Sequence, residues 1–159
     1  MHVGLKTTLD APVDAVRDAL LSPAVMVAVT KPFLVYRSRA SEGFPDRWTP
    51  GVRHPIAADA LGLAPSGDTH VDIHLYEVDG VPVQRDDGGG VTGLFGRMDM
   101  RHRMATVGLP DGRTLLVDRL DYRMRPWALG LALWPGMWVI WQWRGLRMRR
   151  AAPRWHAGH

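Results

Sequence analysis

Trp127 to Trp143 reads WALGLALWPGMWVIWQW, seventeen residues without a charge that hold five of the chain's seven tryptophans. The arginine-rich run RGLRMRRAAPR, residues 144 to 154, follows at once. A segment this apolar belongs in a core, along a cavity wall or in a membrane, and the choice among these decides the fold. Seventeen residues are short for a membrane span, and Pro135-Gly136 interrupt them. Interfacial belts place tryptophans at the ends of a span, whereas these run through the middle. The expectation is therefore a closing helix that starts at Pro135, with proline in its first turn, and ends near Ala152. On it Trp134, Trp138, Trp141, Gly145 and Met148 form one stripe at steps of four, three, four and three.

Upstream, residues 98 to 107 and 113 to 124 alternate in polarity on either side of Leu109-Pro-Asp-Gly112, the pattern of a hairpin. Met98, Met100, His102 and Met104 share one face of the first arm, and Leu116, Asp118, Leu120, Tyr122 and Met124 share one face of the second. Arginines and aspartates occupy the opposite faces, which suits a sheet wet on one side. Residues 69 to 78 and 81 to 85 read as another hairpin around Asp79-Gly80. Residues 52 to 63 read as a strand weakened by Pro55 and Gly62, Pro65-Ser-Gly-Asp68 as a turn, and Asp86 to Gly90 as a flexible loop. The chain opens with a strand over residues 3 to 9. A helix then begins near Pro12 with Asp10 as its cap, a short second helix follows Pro23, and a strand covers residues 33 to 39.

Composition sets the outer bounds. A chain of 159 residues with 46% hydrophobic and 23% charged residues is one globular domain, here residues 1 to 152, with a basic and polar tail over 153 to 159. Without cysteine there is no disulfide or thiolate chemistry. The first twenty residues lack a signal-peptide core, so a cytoplasmic location is expected. Eighteen arginines against two lysines fit a GC-rich, bacterial genome. The net charge is +4, and no acidic residue follows Asp121. That basic end suits helix-dipole complementation and leaves open peripheral contact with an anionic membrane. No motif accompanies it that would make a nucleic-acid site.

The order of strand, two short helices, antiparallel strands and closing helix resembles the helix-grip fold of the START-like or SRPBCC superfamily, which includes polyketide cyclases. The resemblance spans nearly the whole chain. It rests on DAPVDAVRDALLSP at residues 10 to 23, on Met100-Arg-His-Arg103, and on the G-x-T-x-x-x-D-x-x-x-Y pattern from Gly112 to Tyr122. Trp143-Arg144 is similar to an aromatic-Arg pair near the end of many members, while AVMVAVTKP after Pro23 replaces their tryptophan-rich segment. The resemblance implies an α+β fold, a curved antiparallel sheet around a long C-terminal helix, with a cavity between them.

That cavity would bind a lipid- or polyketide-like molecule through Met100, His102, Met104, Asp118, Leu120, Tyr122, Trp134, Trp138 and Trp141. His102 and Asp118 on adjacent arms are the catalytic candidates if the protein is instead an aromatase/cyclase-type enzyme; otherwise they satisfy each other within the interior. The Val139, Trp143 and Arg147 side of the helix is a third possibility, docking a membrane or the second chain of a homodimer. No cofactor is expected, since neither G-x-G-x-x-G, a Walker loop nor G-x-S-x-G occurs in the right setting. His70 and His74 lie roughly 13 Å apart on an extended strand, too far for one metal. His54 has no obvious partner, and His156 and His159 fall in the tail.

Overall fold

The computed structural model describes residues 1–156. Seven strands form one antiparallel sheet in the order β1-β7-β6-β5-β4-β3-β2, curled around a long C-terminal helix. The strands are β1 (His2–Leu9), β2 (Leu34–Ser38), β3 (Arg53–Ala60), β4 (Ala64–Val78), β5 (Val81–Asp86), β6 (Met98–Gly108) and β7 (Thr114–Met124). The helices are α1 (Val13–Leu20), α2 (Pro23–Thr30) and α3 (Trp127–Ala151). Fold class and element order thus follow the sequence expectation. No helix among the described residues is long and apolar enough to cross a membrane.

The β6–β7 hairpin has the expected faces. Leu116, Asp118, Leu120, Tyr122 and Met124 are buried, while on the wet face Asp121 accepts from Arg103 at 2.6 Å and Arg119 at 2.8 Å. At the start of the chain, Pro12 rather than Asp10 occupies the cap position of α1, and no side chain caps that helix. Ser22 caps α2 by accepting from the Val25 N–H.

Two glycine-bearing stretches differ from expectation for one physical reason. Pro65-Ser-Gly-Asp68 is part of β4; the chain reverses at Leu61-Gly62, both with positive φ. Gly67 is required because a Cβ there would lie 2.0 Å from the Thr92 carbonyl oxygen. The Asp86–Gly90 loop is also tightly held, with Gly90 bridged to Thr69 and Gly89 to Asp99. A Cβ on Gly90 would come within 1.4 Å of the Phe95 carbonyl oxygen. These glycines serve close backbone approach, not mobility.

The closing helix begins eight residues earlier than expected, at Trp127, and Pro135 lies inside it. Proline removes a helical N–H there, yet both Pro135 and Leu131, whose carbonyl loses that donor, are exposed, so water can take the donor's place. The inward stripe is Leu133, Met137, Ile140, Trp141, Arg144 and Met148. Trp134 and Trp138 are off that stripe. Trp134 donates its indole N–H to the His2 carbonyl at 3.0 Å, and Gln142 donates to the Gly4 carbonyl at 3.4 Å, so this flank of α3 lies along the open edge of β1. On the other flank Trp143 donates to the Lys31 carbonyl at 2.7 Å and Arg147 to the Ala28 carbonyl at 3.2 Å, fastening the end of α2. Ala152, the last residue of the expected domain, and Trp155 of the expected tail pack with Leu9, Val16, Leu116 and Met148. His159 lies outside the described residues.

Candidate functional site

Between the concave face of the sheet, α2 and α3 lies a cavity of about 250 Å³. Val25, Met26 and Val29 of α2 wall it on one side, and Leu133, Met137 and Ile140 of α3 on another. Of the residues expected to meet a ligand, Met100, His102, Met104, Leu120, Tyr122 and Trp141 line it. Trp134 and Trp138 do not, because they sit on the β1 flank of the helix and stay half exposed. Asp118 stands behind the wall, buried completely, and organises the groups in front of it.

One Asp118 oxygen accepts from His102 Nε2 at 2.6 Å and from the Trp141 indole N–H at 3.1 Å, and the other accepts from Arg144 Nη1. The short contact to a carboxylate places the imidazole proton on Nε2. Arg144 also directs Nη2 to the Met104 sulfur at 3.3 Å, and the His102 ring meets Trp141 edge-on at 5.1 Å. Burial works to raise the Asp118 pKa, but the Arg144 guanidinium, His102 and the indole N–H outweigh it, and the carboxyl is held below its ordinary range. The cluster is therefore an Arg144–Asp118 ion pair with the His102 ring and the Trp141 indole hydrogen-bonded to the same carboxylate. One strand residue and two from α3 converge on the Asp118 carboxylate.

Arg144 is 7% exposed and was legible only as part of the basic run and of the Trp143-Arg144 pair. The helical spacing held a better signal: Arg144 lies three residues after Trp141 and four before Met148, on the apolar stripe. A cation at such a position needs a buried anion, and Asp118 is that anion.

Asp86 is the second group that the sequence reading missed. It closes β5, stands opposite His102 of β6 in the strand register, and lines the cavity while 9% exposed. One of its oxygens accepts from the Asp72 N–H at 2.8 Å. Burial pushes its carboxyl up to about 7; nearby Asp72 and Asp87 add to this, and the Asp72 N–H and Arg144 oppose it. Burial also pushes Tyr36, another lining residue, up to about 12. Gln84 lines the same region and donates to the Leu20 carbonyl at 3.1 Å. Among the described residues no three His, Asp or Glu side chains gather as a metal site, and His74 lies against Asp72 at 3.3 Å.

No family model matches the chain, and no curated protein matches its sequence. Solved structures do. A hypothetical protein of Helicobacter pylori aligns with a TM-score of 0.66 at 10% identity, over 96% of this chain and 88% of that one. A protein of Chromobacterium violaceum aligns with a TM-score of 0.64 at 15% identity, over 95% of this chain and 96% of that one. A conserved protein of Geobacillus kaustophilus aligns over the full length of both chains, with a TM-score of 0.60 at 12% identity. At these identities the likeness is one of fold.

Proposed function

We propose that this chain is a START-like protein that binds a small apolar molecule between its sheet and α3. The observation that carries the reading is the cavity itself, about 250 Å³ walled mainly by methionine, aliphatic and aromatic side chains, with a minority of polar groups that includes Asp86, His102 and Arg144. An apolar cavity of about 150 Å³ is enough to hold benzene. This one suits a guest of one or two rings or a short acyl chain, smaller than the polyketide- or lipid-sized ligand that the family resemblance implies. Methionines opposite the helix give the wall adaptability. Titration followed by NMR tests the reading: naphthalene should bind, and pyrene, with four fused rings, should not. Met137→Trp should fill the space and abolish naphthalene binding while the chain stays folded. Failure of naphthalene to shift any cavity resonance would end the proposal.

The His102–Asp118 contact at 2.6 Å favours an aromatase/cyclase-type enzyme as a second reading, with His102 as the base. His102→Gln distinguishes the two, since a binder keeps its affinity for naphthalene and an enzyme loses turnover. Contact with an anionic membrane is a third reading. Of the anticipated face only Val139 is well exposed, because Trp143 and Arg147 are engaged by α2, while Trp127, Leu131 and Trp138 are exposed on another side of the helix. Sedimentation with anionic vesicles that is indifferent to lipid charge and to salt would exclude it.

A further inference from the structure

We infer that the cavity's guest is a neutral carbonyl compound whose oxygen is held by the Asp86 carboxyl on the pocket wall. The inference rests on the cavity being a ligand site. It follows from asking which polar groups on the wall still lack a partner.

Gln84 gives its amide N–H to the Leu20 carbonyl. His102 gives Nε2 to Asp118, and Arg144 divides its two terminal nitrogens between Asp118 and the Met104 sulfur. Asp86 is different. It accepts one hydrogen bond, from the Asp72 N–H, and among the described residues no Lys, Arg or His lies within ion-pair distance of it. A carboxyl on an apolar wall without a counter-ion keeps its proton, and a protonated carboxyl is a donor. Its upward shift to about 7 agrees with this. The ionisable groups around it are Asp72 of β4 (itself held by Arg53 and His74), Asp87 next in the chain, His102 of β6, Tyr36 of β2 and Arg144 of α3.

Each class of guest can be weighed against that arrangement. A carboxylate would find Arg144 already neutralised by Asp118 and would add an unpaired anion beside Asp86. An ammonium would gain a partner only if Asp86 gave up its proton, which leaves two desolvated charges on an apolar wall. A hydrocarbon fills the space and leaves the Asp86 O–H without an acceptor. A ketone, aldehyde, ester or amide supplies that acceptor and brings no charge.

Four one-ring probes test this by NMR titration: ethylbenzene, acetophenone, benzoate and benzylammonium. At pH 6 acetophenone should bind roughly three- to tenfold tighter than ethylbenzene, the range supplied by one net hydrogen bond. Benzoate and benzylammonium should bind more weakly than either. At pH 8.5, above the Asp86 transition, the acetophenone advantage should vanish. Asp86→Asn, whose amide donates at either pH, should keep the advantage at both, and Asp86→Leu should remove it at both. A charged probe binding tightest, acetophenone binding no better than ethylbenzene, or an advantage that survives in Asp86→Leu overturns the inference and leaves the apolar site standing. Failure of all four probes removes that site and the inference with it.

Discussion

Arg144 and Asp118 are 7% and 1% exposed, so neither charge can be left without the other. Asp118→Asn should destabilise the fold by about 3–5 kcal/mol, because it strands a buried guanidinium. The double variant Asp118→Leu/Arg144→Met should recover most of that loss, and urea unfolding of both checks it. Asp86 acts with the opposite sign. Its folded-state pKa of about 7 stands above the ordinary 3.8. Below that ordinary value both the folded and unfolded chains hold the proton, and Asp86 contributes no pH dependence. Between the two values the unfolded chain releases its proton while the folded chain keeps it, so stability falls as pH rises and levels off above about 7. Asp86→Asn should therefore match the parent at pH 4 and exceed it at pH 8, by up to roughly 4 kcal/mol. Equal urea midpoints at both pH values would contradict this. His102 and Asp118 were legible as neighbours because strand alternation places them on one face of adjacent arms. Arg144 was hidden by the arginines around it, and Asp86 by the glycine run that follows it.

At the scale of elements, alternation and turn chemistry were enough to read the β6–β7 hairpin. The start of α3 was not legible, because a proline in the first turn and a proline within a solvent-facing turn look alike in sequence. Since Pro135 lies inside the helix, Pro135→Ala restores a helical hydrogen bond and should raise stability by about 1–3 kcal/mol, read as a higher Tm. The glycine loop makes a sharper contrast. Gly90→Ala would drive a methyl group into the Phe95 carbonyl and should unfold or severely destabilise the chain. Gly112→Ala, in a turn with open space but a φ of +81°, should cost only about 1 kcal/mol of backbone strain. Thermal denaturation of the two variants side by side measures the difference. Close approach of distant backbone segments leaves no local pattern, which is why residues 86 to 90 read as mobile.

For the whole molecule, the order of elements was legible from periodicity, because each strand and helix carries its own apolar face and the faces must meet. The orientation of α3 was harder, since a helix apolar on nearly every side has no single stripe to follow. Three of its five tryptophans have separate tasks: one touches the cavity, one ties down α2, and one lies over the sheet's first strand. The last of these bears on how the protein behaves in company. A border strand with unoccupied carbonyls invites another polypeptide to dock alongside it and extend the sheet. Here Trp134 and Gln142 occupy two of those acceptors, and the exposed Lys6 stands at the next such position. The same side chains that anchor the helix thus act as a guard against polymerisation.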